Sequence, residues 1–232
     1  MKLTLVKKVD EARATKSFFF ESNEKITWLP GQYIYITLPK LNYPDERGAT
    51  RHFTISSSPT EGRLIRITTR IREESGYKKT LDELSVGSAV EGRGPMGSFV
   101  LTNHYSPITN HLFLAGGIGI TPFRSMIKYN IDKNLNIPMY LIYSNSDSEF
   151  VFKKELVKWQ KENKNIIVTY FDSSVSGHLD VTKLTTLITN HQSLVTRFWV
   201  VGPNVFVNAM EEILEELKIP EDQIKTEKFT GY

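Results

Sequence analysis

The run Leu114-Ala115-Gly116-Gly117-Ile118-Gly119-Ile120-Thr121-Pro122 lies between an apolar segment and an amphipathic one, and its residue types suit a phosphate. Glycines let a backbone turn sharply and approach a pyrophosphate, while Thr121 as N-cap and Pro122 as first helical residue would start a helix. The helix start then offers N–H groups and a partial positive charge. A ligand-free strand-to-helix turn would need fewer than three glycines, and the spacing is not the G-x-G-x-x-G fingerprint. A second cluster is Arg51-His52-Phe53-Thr54-Ile55-Ser56. Strand alternation puts Arg51 and Phe53 on one face and His52 and Thr54 on the other. Arginine suits a diphosphate, an aromatic face a flat ring, and a hydroxyl a ring nitrogen. Taken singly, Phe53 reads more readily as core and Arg51 as a surface charge. A third cluster runs from Arg70 through Gly76-Tyr77-Lys78-Lys79-Thr80, with a glycine and a hydroxyl at the start of a short helix. Beside Arg51 that start would make a second anion site; otherwise Thr80 is a cap.

Other chemistries find no support. The chain has no cysteine, so it offers no thiolate for an iron–sulfur cluster, no catalytic thiol and no disulfide. Its five histidines, His52, His104, His111, His178 and His191, lack metal-ligand spacing and read as solvent-facing or structural, so no metal is expected. The pairs Glu73-Glu74, Glu211-Glu212 and Glu215-Glu216 read as solvated faces. With 29 basic and 26 acidic residues the net charge is only +3, which does not suggest nucleic acid. The N-terminal residues lack the apolar core of a signal peptide, and the uncharged stretch 94–123 is broken by Asn103, His104, Pro107 and glycines. A cytoplasmic protein with no integral membrane segment is expected.

Two kinds of element must position these clusters. Up to about residue 105 the apolar positions mostly alternate in short runs, as at Leu3/Leu5, Ile34/Ile36/Leu38, Leu64 with Ile65 and Ile67, and Val90, which predicts antiparallel strands closing into a barrel. One helical turn is expected at 79–84. From His111 onward the pattern changes: the apolar runs 112–115, 139–143, 166–171 and 198–201 read as strands buried on both faces. Helices are expected between them at 121–130, 152–161, 181–189 and 205–217, the last with an apolar stripe of Phe206, Ala209, Met210, Ile213, Leu214 and Leu217. Alternating strand and helix imply a parallel sheet. The boundary is expected in the polar stretch 102–110, giving domains 1–105 and 106–232.

In this order the motifs resemble the ferredoxin–NADP reductase superfamily over essentially the whole chain. Its Arg-x-Tyr-Ser motif is similar to Arg51-His52-Phe53-Thr54, and its Gly-x-x-Ser segment to Gly76 through Thr80, with one extra residue and Thr for Ser. Gly-Pro-x-Gly-x-Phe is matched by Gly94 to Phe99, Gly-Gly-x-Gly-Ile-Thr-Pro by Gly116 to Pro122, and the final Glu-x-Phe by Glu227-Lys228-Phe229. Where members carry Cys-Gly-Pro, this chain has Val201-Gly202-Pro203. The resemblance implies a six-stranded antiparallel Greek-key barrel holding non-covalent FAD, followed by a five-stranded parallel Rossmann-like domain for NADH or NADPH. It implies that Arg51 binds the FAD diphosphate, Phe53 stacks on the isoalloxazine, Thr54 bonds near its N5, and Arg70, Gly76, Lys78, Lys79 and Thr80 complete the flavin site with His52. Gly116, Gly117, Gly119, Thr121, Pro122, Ser144, Asn145, Gly202 and Pro203 would hold the nicotinamide nucleotide. Thr54, Glu227, Phe229 and Tyr232 would serve the hydride step, with either Phe229 or Tyr232 covering the flavin. Val201 removes a sulfur that members place near the reacting nicotinamide.

The segment after the second strand of the nucleotide domain, Ser144-Asn145-Ser146-Asp147-Ser148-Glu149, carries carboxylates and no arginine, and Asp172 follows the third strand. Carboxylates repel a ribose phosphate, which leans the reading to NADH, although Lys153 or Lys154 could reverse it. Electrons would pass to a separate acceptor, a small ferredoxin- or flavodoxin-like protein or a small molecule such as a ferric chelate. The alternative is a non-catalytic flavin- or nucleotide-binding module. An electron-transfer subunit of dihydroorotate dehydrogenase would need cluster cysteines, which the sequence lacks.

Overall fold

A computed structural model of the chain describes residues 1–101, 110–189 and 196–229. The expected boundary stretch apart from Asn110, together with His104, His191 and Tyr232, lies outside the described residues. Two compact units form: one gathers Met1–Leu101 with Arg124–Tyr129, the other the remaining described residues.

The first unit contains strands β1 (Lys2–Ala12), β2 (Thr15–Ser22), β3 (Tyr33–Thr37), β4 (Thr50–Thr54), β5 (Ile65–Arg70) and β6 (Ala89–Met96), with helix α1 (Gly76–Glu83) between the last two. They form a six-stranded antiparallel sheet in the order β4-β3-β6-β1-β2-β5. The sheet closes on itself where Ile55 bridges Ile67 and the Ser56 amide donates to the Arg66 carbonyl at 2.7 Å. Period-two alternation drives this: Leu3, Leu5, Phe18, Phe20, Ile34, Ile36, Ile65, Ile67 and Val90 all point inward and are buried. Helix α1 begins three residues before the expected turn at 79–84, because Ser75 caps it by accepting from the Lys78 amide at 3.3 Å. Thr80 is therefore not a cap. It lies inside the helix, donating to the Gly76 carbonyl at 2.8 Å and accepting from the Asn42 amide at 3.0 Å.

The second unit alternates as expected. Its strands are β7 (Asn110–Gly116), β8 (Met139–Asn145), β9 (Ile166–Asp172), β10 (Thr196–Pro203) and β11 (Ile224–Phe229). Its helices are α2 (Ile120–Asp132), α3 (Lys153–Glu162), α4 (Ser173–Ser176), α5 (Val181–Ile188) and α6 (Asn204–Glu216). The strands form a parallel sheet in the order β11-β10-β7-β8-β9. Continuous apolar runs in β7 and β8 are buried on both faces. On α6 the buried stripe is Val207, Met210, Ile213 and Leu214, while Phe206, Ala209 and Leu217 pack at its margin. The expected stripe thus omitted Val207.

Candidate functional site

In the second unit the chain runs outward from β7 through β8 to β9, then crosses back to β10 on the other side of β7. Ligands of open α/β sheets bind at the carboxyl ends of the strands where strand order reverses, which here is between β7 and β10. Gly116 and Gly202 meet at that point, since a Cβ on Gly202 would lie 3.1 Å from the Gly116 Cα. Beyond β7, residues Gly117–Gly119 form one turn of 3₁₀-helix that no side chain caps. Gly117 takes φ +54°, a conformation glycine adopts without steric cost. Gly119 packs on the end of β10, where a Cβ would sit 2.6 Å from the Val201 carbonyl carbon and 2.9 Å from the Gly202 nitrogen.

The tight turn starts α2 early, at Ile120. Thr121 is thus not the N-cap but lies within the first turn, donating to the Ile118 carbonyl at 3.1 Å, and Pro122 follows at the third helical position. Ser144 and Asn145 are buried at the end of β8. The Asn145 amide is engaged by its own loop, donating to Asp147 Oδ1 at 2.7 Å. At the end of β9 Asp172 caps α4, accepting from the Ser174 amide at 2.9 Å. Asn145 and Asp172 are register partners, so the end of β8, whose Asn145 holds Asp147, lies beside the carboxylate that ends β9. Lys153 lies over the rings of Phe150 and Tyr170, at 5.6 and 5.4 Å from their centroids.

Beside β10, Val201 pairs with Glu227, Gly202 with Lys228 and Pro203 with Phe229. Glu227 is the electrostatically distinctive group: its Oε2 is shielded from solvent without a hydrogen-bond partner among the described residues. Burial pushes its carboxyl up to about 7. Sequence alone pairs Glu227 with Phe229 but gives no reason for this perturbation, which arises from burial. His111 proves structural, buried and accepting from Trp199 Nε1 at 3.0 Å, whereas His178 is exposed.

In the first unit β4 follows the expected alternation. Phe53 pairs with Ile34 and Arg51 with Ile36, so both point to the core side, while Thr54 pairs with Tyr33 and His52 with Tyr35 on the other. Phe53 is only 8% exposed, its ring 5.9 Å from that of Tyr77. The opposite face carries an aromatic group that the sequence reading missed: Tyr33, Tyr35 and His52 lie within 5.7 Å of one another, and Arg93 lies over Tyr35 at 4.6 Å. Its signal was the alternating Tyr33-Ile34-Tyr35 on a strand opposite His52. Thr54 is buried at the strand end.

The cations converge on the start of α1. The Arg51 guanidinium stacks over the Tyr77 ring at 5.1 Å. The Lys78 side chain is buried, at 6% exposure for the residue. Burial, then the charges of Arg72, Arg51 and Arg47, pushes its ammonium down to about 8, with Glu74 partly offsetting them. A buried ammonium among three guanidinium groups fits a polyanion such as a diphosphate. Lys79 lies over the Tyr43 ring at 4.3 Å, and Arg70 ends β5 opposite Thr15. The sequence reading missed Asp45 at this place. Its carboxylate pairs with Arg51 and accepts from the Tyr77 amide at 2.9 Å and the Ser75 hydroxyl at 3.2 Å.

Comparison with known proteins agrees with this geometry. The oxidoreductase FAD-binding domain family matches residues 2–101, and the oxidoreductase NAD-binding domain family matches residues 113–212. Flavohemoprotein A of Dictyostelium discoideum is 30% identical over 239 aligned positions, covering 96% of this chain and 58% of the relative. The glycine betaine monooxygenase reductase subunit of Chromohalobacter salexigens is 30% identical over 155 positions, covering 65% of this chain and 40% of the relative. The chain thus spans about half the length of these relatives. Among solved structures, ferredoxin–NADP+ reductase from Plasmodium falciparum has a TM-score of 0.78 at 21% identity, covering 98% of this chain and 95% of that one. A cytochrome P450 reductase from Amycolatopsis has a TM-score of 0.83 at 18% identity, covering 100% and 70%. Those two likenesses bear on the fold alone. With an FAD-binding family and an NAD-binding family matched in succession on a barrel and a parallel α/β sheet, the chain belongs to the ferredoxin–NADP reductase superfamily, as an oxidoreductase with FAD and NAD(P)H as its cofactors.

Proposed function

We propose that the chain is a reductase that takes a hydride from NADH onto FAD and passes the electrons to a separate acceptor, a small redox protein or a small molecule, in the cytoplasm. The observation that carries this reading is the pairing of a cationic cradle at the start of α1 with an uncapped glycine turn at the strand-order reversal, each in its own unit. Among the described residues no helix is long and apolar enough to cross a membrane. The monooxygenase reductase subunit among the relatives supports a separate acceptor.

FAD supplies the conversion of a two-electron hydride donor into electron delivery to the acceptor. The chain's own residues position it, since hydride transfer needs two flat rings in contact and water kept away. Residues 1–105 serve as the flavin domain. Arg51, Lys78, Lys79 and the α1 amides face the diphosphate, with Arg70, Gly76 and Thr80 shaping the site. Thr54 places a hydroxyl at the end of β4, Phe53 supports the seat from the core side, and His52 offers its outer edge. Residues 106–232 hold the nicotinamide nucleotide, with Gly116, Gly117, Gly119, Thr121, Pro122, Gly202 and Pro203 around the reversal point and Ser144 and Asn145 framing the β8 end. Glu227 holds a proton beside Val201.

Anaerobic mixing of the FAD-loaded chain with each nicotinamide tests this. Flavin absorbance should bleach, at least tenfold faster with NADH than with NADPH, because the carboxylates of Asp147 and Asp172 disfavour a ribose phosphate. A yellow protein that neither nucleotide bleaches would instead be a non-catalytic flavin module. A preparation that takes up no flavin would end the reading.

FAD affinity should also depend on pH. Lys78 is charged below about 8 and neutral above it. The FAD dissociation constant should therefore rise about tenfold between pH 7 and pH 9.5, by the usual strength of a charge-assisted bond. In Lys78→Met the constant should be weaker at pH 7 and nearly flat. A flat wild-type profile would remove Lys78 from the site.

A further inference from the structure

The donors that the flavin reading assigns to the diphosphate are already engaged by the protein itself. Arg51 Nη1 donates to the carbonyls of Arg47, Gly48 and Thr50 at 2.8 to 2.9 Å, and Nη2 pairs with Asp45. At the start of α1 the Tyr77 amide donates to Asp45 Oδ2, and the Lys78 amide to Ser75 Oγ. The other Asp45 oxygen also accepts from the Arg47 amide at 3.1 Å. The Asp45 side chain is 8% exposed. Its carboxylate thus rests on an arginine, two amides and a hydroxyl, which is the donor set that a phosphate takes. Burial acts to raise its carboxyl, yet the amides of Tyr77 and Arg47 and the Arg51 charge overcome this and hold it below the ordinary range, so it stays ionised.

We propose that Asp45 is an internal competitor for the diphosphate, its loop between β3 and β4 holding a carboxylate in the anion cradle so that FAD binds by exchanging with it. This rests on the reading of the first unit as the flavin site. Coexistence is disfavoured because Gly76, at the mouth of the cradle, lies against the chain of the same loop: a Cβ there would meet the Tyr43 carbonyl oxygen at 2.7 Å and the Pro44 carbonyl carbon at 2.8 Å. A diphosphate reaches the Tyr77 amide only if Asp45 yields it. The mobile part can be short. Asn42 is anchored to Thr80 and Glu83, whereas Glu46, Arg47 and Gly48 are exposed and Gly48 takes φ +70° with nothing within 4 Å of its would-be Cβ. The exchange gains charge, since a dianion replaces a monoanion among Arg47, Arg51, Arg72 and Lys78.

The test compares full-length wild type, Asp45→Asn and Glu74→Gln. Asparagine keeps the shape without the charge, and Glu74→Gln removes an equal charge near Lys78 and Arg72 while leaving Arg51, Ser75 and the α1 amides that Asp45 engages untouched. Titrations use FAD and, separately, inorganic pyrophosphate. Exchange requires Asp45→Asn to bind both at least tenfold more tightly and to take up FAD faster, with Glu74→Gln changing either by less than threefold. It also requires amide hydrogen exchange of residues 44–49 in the wild type to quicken when FAD or pyrophosphate saturates the protein. If Asp45→Asn binds both ligands equally or more weakly, Asp45 instead orients Arg51 and the proposal is overturned. Slower exchange of 44–49 on saturation overturns it independently of any variant. Should neither protein take FAD while Asp45→Asn gains pyrophosphate affinity, the flavin reading fails and the competition stands.

Discussion

Gly119→Ala should slow reduction by NADH about 100-fold while leaving FAD content unchanged. The alanine Cβ would lie 2.6 Å from the Val201 carbonyl carbon and 2.9 Å from the Gly202 nitrogen, closer than such atoms approach. Both are backbone atoms of β10, which is held on one side by β7 and on the other by β11, so the strand cannot yield. The strain falls on the Gly117–Gly119 turn, which must lift off the strand end and carry its amides with it. Overpacking of this kind costs about 1–3 kcal/mol of stability, and a shift of about 1 Å in a positioning group costs about 100-fold in rate. The NADH dissociation constant should rise by about 100-fold or more, and flavin bleaching should slow in proportion. Retention of the wild-type rate would show that the turn does not hold the nucleotide.

A second large effect is expected at Glu227. Burial raises its carboxyl from the ordinary 4.5 to about 7, so between those values the folded chain binds a proton that the unfolded chain has released. Stability from this group is full below about pH 4.5 and declines as pH rises through 7. Above that, the protein carries a buried carboxylate whose Oε2 has no partner among the described residues. Glu227→Gln removes the penalty. Denaturant unfolding should show the variant more stable than wild type by up to about 3 kcal/mol at pH 8.5, with the difference vanishing near pH 4.5. Hydride donation leaves a cationic nicotinamide ring, so if the charge on Glu227 bears on it, flavin reduction in the wild type should change with a midpoint near pH 7. The variant should then be pH-independent and about 100-fold slower. Greater stability with an unaltered rate would leave Glu227 as a buried acid with no part in the chemistry.

Much of the architecture was legible because its signals are local. Leu3/Leu5 and Ile34/Ile36 alternate because one face of a barrel strand meets the core, and 139–143 is continuously apolar because both faces of β8 are covered. Where sequence reasoning slipped, it was over helix starts. Thr80 and Thr121 have a cap's chemistry, yet Ser75 starts one helix and a 3₁₀ turn the other. Any hydroxyl near a helix start can cap, and the choice between neighbours rests on which backbone amide reaches which oxygen.

The sequence by itself determined that a barrel precedes a parallel sheet, that Gly116 to Pro122 lies where a strand gives way to a helix, and which face of β4 carries Arg51. These follow from residue type and period, which act over a few positions. Only the tertiary structure decided what surrounds each group. It turned the Phe53 ring to the core, brought Tyr35 beside His52, shielded the Glu227 Oε2 from solvent, and laid Asp45 against Arg51 and the start of α1. Burial and electrostatic environment depend on neighbours distant in sequence, so no local pattern encodes them.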